Sequence, residues 1–267
     1  YFAPYSLERH ADLIAHVASQ PHVEYERLGA SVEGRDMDLL RIGQPGAGKK
    51  VCWIIARQHP GETMAEWLVD GLLHRLLDED DPVSSLLLQR AVFYVVPNMN
   101  PDGSYRGHLR NNAAGMNLNR AWAEPSMERS PEVFLVREKM RQTGVDFFLD
   151  VHGDEGLPYN FIAGSDGIPR WSDRLAQLQG RYVDELLRLT PEFQKEFGYP
   201  VDPPGQANLS MGAHWVGEHF DCLSMTLEQP FKDAANRPHR DGWSPKRARR
   251  FGQVQLDALR TLIDSLR

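Results

Sequence analysis

The chain has 267 residues, 41% of them hydrophobic and 25% charged, which is enough apolar material for one substantial α/β core. Its formal net charge of −7 supplies no basic stripe for nucleic acid, and no stretch reaches the ~18 consecutive apolar residues of a membrane span. Nucleic acid and membrane are therefore set aside as partners, and oligomeric state is left open by the composition.

The first periodic segment, Tyr5 to Ser19, places Leu7, Ala11, Ile14, Ala15 and Ala18 at helical spacing behind a Ser6 cap. Two short alternating runs, Val23 to Leu28 and Met37 to Ile42, flank a turn at Gly34 and read as a hairpin at a sheet edge. KKVCWIIARQHPGETMAEWLVDGLLHRLL passes from a continuous apolar strand through a His-Pro-Gly turn into a helix beginning near Thr63. RAVFYVV is a second buried strand, followed by a polar segment to about Trp122 whose Asn, Arg and Gly content marks a working loop. Ser130 and Pro131 open a helix that leads into the strand DFFLDVH. A helix over Ser172 to Leu189, a Pro/Gly-rich loop, the strand HFDCLSMTLE and a terminal helix from about Pro245 to Leu266 complete the pattern.

Strands alternating with helices predict a three-layer α/β/α fold around a mixed, mostly parallel sheet of about eight strands. With no internal repeat or linker, residues 1–267 read as one catalytic domain. Cys52 and Cys222 sit inside apolar strands and read as reduced core thiols, which together with the absence of a leader-like start gives a cytoplasmic expectation. The opening YFAPYSLERH lacks an initiator Met and is read as the start of a trimmed domain.

In an open α/β sheet, ligands gather beyond the carboxyl ends of the strands. His59 follows VCWIIA, Asn98 follows FYVV, His152 closes FFLDV and Glu228 closes CLSMTL, so four strands aim chemistry the same way. His59 and Glu62 are three residues apart at a turn into a helix, and both can face one point. With His152 they make a two-imidazole, one-carboxylate set that leaves a fourth position open, as catalytic zinc requires. Imidazole suits Zn²⁺ far better than Mg²⁺ or Ca²⁺, although non-haem iron shares the ligand class.

The ordered motifs HPGET, NMNPDGSYRGHLR, GMNLNRAW, DVHGDE and TLEQPF, spanning Gln58 to Phe231, resemble the M14 family of zinc carboxypeptidases, particularly its cytosolic-type branch. The resemblance implies one zinc ion bound by His59, Glu62 and His152, and a peptide or protein C-terminus as substrate. It implies that Asn119 and Arg120 grip the terminal carboxylate, that Arg110 polarises the scissile carbonyl, and that Glu228 is the general base. Arginine's planar fork matches a carboxylate, and a buried glutamate can serve as base and then acid. The branch includes enzymes that trim glutamates, which gives acidic C-termini as the expected substrate, and it usually carries a β-rich domain before the catalytic one.

The sequence departs from that pattern in two places. Asn117 stands where many relatives have Asp, so an amide would support a zinc-binding imidazole. PPGQANLSMGAHW contains no tyrosine to cap the substrate, and specificity residues are placed between Gln206 and Phe220. Asp150, on the strand face of His152, is either a support for that imidazole or a substrate contact. Arg106 is the runner-up to Arg110, Trp215 is the tryptophan placed closest to substrate, His108 is a cleft candidate, and His214 and His219 read as surface or capping histidines. The basic cluster Lys246, Arg247, Arg249 and Arg250 is either a substrate attractor or a solvated face. The rival function is a zinc-dependent N-acyl amino acid amidohydrolase, resembling the desuccinylase and aspartoacylase group; a non-catalytic binding module would lack a ligand or the base.

Overall fold

The computed structural model describes residues 2–267. Its sheet has seven strands, where about eight were expected: β1 (Val23–Ala30), β2 (Asp36–Ile42), β3 (Lys50–Ala56), β4 (Ala91–Val96), β5 (Phe147–Val151), β6 (Phe161–Ala163) and β7 (Leu223–Glu228). They lie in the order β1-β2-β4-β3-β5-β7-β6. The four central strands β4, β3, β5 and β7 run parallel, whereas the β1–β2 hairpin and the three-residue β6 pair antiparallel at the two edges.

The eight α-helices are α1 (Leu7–Ala18), α2 (Thr63–Leu76), α3 (Pro82–Arg90), α4 (Pro101–Arg106), α5 (Pro131–Thr143), α6 (Asp173–Leu189), α7 (Gly212–Phe220) and α8 (Pro245–Arg260). Strand alternation sorts their packing. Cys52, Ile54, Phe147 and Leu149 face a core built with α1, α2, α6 and α8, and Trp53, Ile55 and Phe148 face one built with α5 and α7. Each fully buried side chain of Leu or Phe size contributes about 1.5–3 kcal/mol, so both layers hold the sheet firmly.

Local signals account for most boundaries. Ser6 accepts from the Arg9 amide and Ser172 from that of Leu175, capping α1 and α6. Ser130 precedes Pro131 as expected, but its hydroxyl accepts from the Ser126 amide instead of a helix amide. Helix α3, unread in the sequence, is capped by Asp81 on the Val83 amide with proline at its first turn. Helix α7 stands where the sequence reads as loop, since no side chain caps it and two glycines interrupt it, yet its Ala213, Trp215 and Val216 are buried. Tertiary burial, and not local propensity, makes it helical.

Helices α2 and α8 cross at two glycines. A Cβ on Gly71 would stand 2.1 Å from the Arg249 carbonyl oxygen, and one on Gly252 would stand 2.0 Å from that of Leu68. Only hydrogen fits at either point.

Candidate metal centre and substrate cleft

Strand β3 is the switch point of the sheet, with β4 on one side and β5 on the other, so the crevice beyond it receives loops from both directions. The first loop is held by Arg57, a buried arginine in the left-handed region at φ 62°. Its guanidinium donates to the carbonyls of Pro60 (3.0 Å) and Tyr5 (3.0 Å) and to Glu66 Oε2 (2.6 Å). That staple compensates the backbone strain and presents His59 at the crevice. Asn100, opening α4, donates to the Gln58 carbonyl and buttresses the same turn.

Three donors converge there. Glu62 Oε1 lies 2.7 Å from His59 Nδ1, Glu62 Oε2 lies 2.8 Å from His152 Nδ1, and the two Nδ1 atoms are 3.2 Å apart. One ligand atom from each residue lies within 4.8 Å of the others, the spread of a single metal site. The outer nitrogens fix the tautomers. His59 Nε2 donates to Asn117 Oδ1 at 3.0 Å and His152 Nε2 lies 3.0 Å from Asp150 Oδ1, which leaves both Nδ1 lone pairs aimed inward. Asn117 thus supplies the amide support expected from the sequence. Asp150 stands behind His152, wholly buried, and accepts from Gln58, which accepts from Trp122. It supports the imidazole and does not face substrate.

Electrostatics follow from this crowding. Burial alone raises a carboxylic acid, but the His152 and His59 charges outweigh it and hold Glu62 down to about 2. Burial opposes the charge on His152, and Asp150 and Glu62 override it, pushing that imidazole well above its ordinary value. The donor set, two neutral-capable imidazoles and one ionised carboxylate with supported outer nitrogens, fits zinc.

Glu228 lines the same cleft, a cavity of about 440 Å³ shared with His59, Glu62, Arg110, Asn119 and Arg120. Burial, and then the nearby Glu62 carboxylate, outweigh the His152 charge and push Glu228 up to about 8. Its Oε2 has no hydrogen-bond partner, and its Oε1 accepts from the Tyr199 hydroxyl at 3.3 Å. Arg110 Nη1 reaches to 3.9 Å from Glu62, carried there by a loop whose Leu109 carbonyl accepts from the Gly61 amide. Asn119 Oδ1 accepts from the Gly212 amide, so its amide nitrogen is left to donate into the cleft. Burial and then the nearby Arg110 charge lower Arg120.

Asn112 shapes the loop between Arg110 and Asn119. It accepts from the Ala114 and Met116 amides and donates to the Arg129 carbonyl and the buried Glu132.

Several sequence candidates fall elsewhere. Arg106 pairs with Glu33 on the hairpin turn, and His108 bonds to its own loop. Trp215 is buried between Trp122 and His219 under the Arg137 guanidinium, so it belongs to the core. Arg247 pairs with Glu192 and Arg249 with Asp70, which gives these two members of the basic cluster structural partners. The reverse also occurs: Tyr199 lies 29 residues before Glu228, upstream of PPGQANLSMGAHW, and its hydroxyl donates to Asp154 and Glu228 while its ring meets Phe161 edge-on. A tyrosine in an aperiodic Gly/Pro-flanked loop gives no signal that could have singled it out.

Comparison with known proteins gives a consistent result. The family model described as zinc carboxypeptidase matches residues 10–246. A crystal structure of a candidate carboxypeptidase A from Shewanella denitrificans is 58% identical, with a TM-score of 0.99 over 100% of this chain and 71% of that one. A metallo-carboxypeptidase from Pseudomonas aeruginosa, in complex with (2-guanidinoethylmercapto)succinic acid, is 50% identical with a TM-score of 0.97 over the same shares. Mouse cytosolic carboxypeptidase 6 is 35% identical over 151 residues, 52% of this chain and 28% of that protein.

Proposed function

The chain belongs to the zinc carboxypeptidase family, and from that premise we propose that it removes C-terminal residues from peptides or proteins with zinc held by His59, Glu62 and His152 and Glu228 as general base. Metal-dependent hydrolysis at peptide C-termini is the activity of that family. The observation that carries the reading is the convergence of the three donors beside a cleft that Glu228 also lines.

When bound, zinc supplies a Lewis acid that acidifies water and polarises a carbonyl. The side chains do the rest. Asn119 and Arg120 hold the terminal carboxylate, the arginine by its planar fork, and so set the last peptide bond over the metal centre. Glu228 takes a proton from water as the oxygen adds to the carbonyl carbon. It passes that proton to the amide nitrogen as the C–N bond breaks. Arg110 faces the carbonyl oxygen as negative charge develops there. Tyr199, bonded to Glu228 and exposed, lines the cleft beside it.

The Pseudomonas ligand joins a guanidine, cationic at neutral pH, to two carboxylic acids, and its carboxylates are groups that an Arg110–Arg120 pair would receive. Residues 1–267 act in this reading as one catalytic unit. Free, buried Cys52 and Cys222 and the similarity to a cytosolic mouse protein support placing it in the cytoplasm; no described helix is long and apolar enough to cross a membrane.

The test is hydrolysis by zinc-loaded protein of a peptide library, followed by mass, beside acetylated and succinylated amino acids. Shortening of peptides by one residue, abolished by a chelator and restored by zinc, is the expected result. Turnover of the acyl amino acids alone would overturn the peptidase reading in favour of the amidohydrolase.

A further inference from the structure

The cleft opens into a second cavity of about 310 Å³, and the two share Asn119, Tyr199, Met211 and Glu228. A peptide whose terminal carboxylate lies on Asn119 and Arg120 therefore directs its last side chain into this second cavity. Its walls come from β6, the loop that follows it, α6, α7 and the 199–202 segment.

The two cavities differ in their cations. Arg110 and Arg120 line the first beside four carboxylates, whereas no lysine or arginine lines the second among the described residues. The second contains the carboxylates of Asp166 and Asp202, and neither has a salt-bridge partner among the described residues, although 27 such contacts occur elsewhere in the chain. Asp166 accepts only from Gln179 Nε2, at 3.0 Å, and the Gln179 Oε1 that remains is a buried acceptor with no donor. His214 Nδ1 donates to the Asn208 carbonyl at 3.2 Å, so in its neutral form its other nitrogen is an acceptor too. Glycines bring these groups together: a Cβ on Gly164 would meet Gln179 Oε1 at 2.1 Å and Asp166 Oδ2 at 2.4 Å, and one on Gly167 would meet the Asp202 Cβ at 2.4 Å. Apart from Asn119, Tyr199, Thr226 and His214, the polar side chains of this cavity are acceptors or carboxylates, and Gln179 Oε1 among them has no donor.

We propose that this second cavity, through Asp166, Asp202 and Gln179, selects a C-terminal lysine or arginine. The inference rests on the carboxypeptidase reading and names its substrate class. A lysine ammonium or arginine guanidinium brings only donors and positive charge, the complement of what lines the cavity. The same carboxylates repel a glutamate side chain, so the pocket selects by rejection as well as by attraction. This reverses the acidic preference expected from the cytosolic resemblance. It also moves specificity out of the 206–220 segment, which contributes only Met211 and His214, toward residues that lie far apart in sequence.

The experiment measures binding apart from turnover. Zinc-loaded Glu228→Gln protein is titrated in a calorimeter with tripeptides that differ only in a C-terminal Lys, Arg, Glu or Phe. Lys and Arg peptides bind at least about tenfold tighter than the Glu peptide, the advantage shrinks as salt is raised, and Asp166→Asn with Asp202→Asn removes most of it. Asp166→Lys, which reverses the charge, shifts the preference toward Glu and serves if the double variant does not fold. Equal or tighter binding of Glu or Phe peptides, a preference that survives both variants, or no peptide binding at all overturns the proposal. A wild-type protein that binds Lys-ended peptides tenfold better without releasing lysine upholds the pocket and overturns the peptidase reading.

Discussion

On the metal side of the cleft every ring nitrogen and carboxylate oxygen of His59, Glu62 and His152 lies within 3.0 Å of another polar atom, and each residue is at most 3% exposed. On the facing side Glu228 Oε2 has no partner, the Arg110 side chain is 46% exposed, and Tyr199 stands 44% exposed. The first wall is finished before substrate arrives and is braced from behind by Asp150, Gln58 and Trp122. The second is completed by what binds. Positioning of a metal demands sub-ångström agreement among ligands, while a substrate brings its own charges and can finish an open wall itself.

The strongest way to break this contrast is Glu228→Gln. If the open wall holds the proton acceptor, kcat falls about 10²–10⁴-fold with zinc content unchanged by elemental analysis. Retention of full activity would place the base elsewhere. Beneath the finished wall, His10 is wedged between Glu66, the partner of the Arg57 staple, and Asp38. Burial opposes its charge, but the two carboxylates outweigh it and raise the imidazole to about 9 from 6.5. A group raised on folding stabilises fully below its unfolded value, so this contribution is intact below about pH 6.5. It is lost as pH rises through about 9, by up to about 3 kcal/mol. Denaturant midpoints across that window should fall with rising pH, and His10→Gln should flatten this component of the trend.

Smaller effects separate brace from grip. Asp150→Asn leaves the ligands in place but weakens their support, and zinc affinity measured by chelator competition drops about 10–100-fold. Arg120→Gln touches only the open wall: KM for peptides rises about tenfold while zinc affinity stays level. An Asp150 variant with unchanged affinity, or an Arg120 variant that loses zinc, would dissolve the distinction between the two walls.

What the sequence disclosed follows the same division. His59, Glu62, His152 and Glu228 were readable because each ends or follows an apolar strand, and such ends share one crevice whatever the details of the loops. The hairpin edge, the parallel centre and the capped helices were readable for similar local reasons. Arg57 was not, since nothing in ARQHP announces a left-handed arginine. Helix α7 was hidden by its missing cap, and β6 is three residues long. Asp166, Gln179, Tyr199 and Asp202 meet only because the loops around 166 and around 200 fold against α6, and no period in the chain records that. Trp215 shows the opposite error, in which closeness to Glu228 along the chain suggested contact that burial denies.

The crossing of α2 and α8 reaches further than its place in the core suggests. Glu62 sits at the first residue before α2, so the depth to which that rod is pushed against its neighbour sets the height of a metal-binding carboxylate about 12 Å away along the axis. Two bare α-carbons act as the gauge for that depth. A methyl group at either would leave every reactive side chain in the sequence untouched, and yet it would change the spacing on which a three-point grip depends.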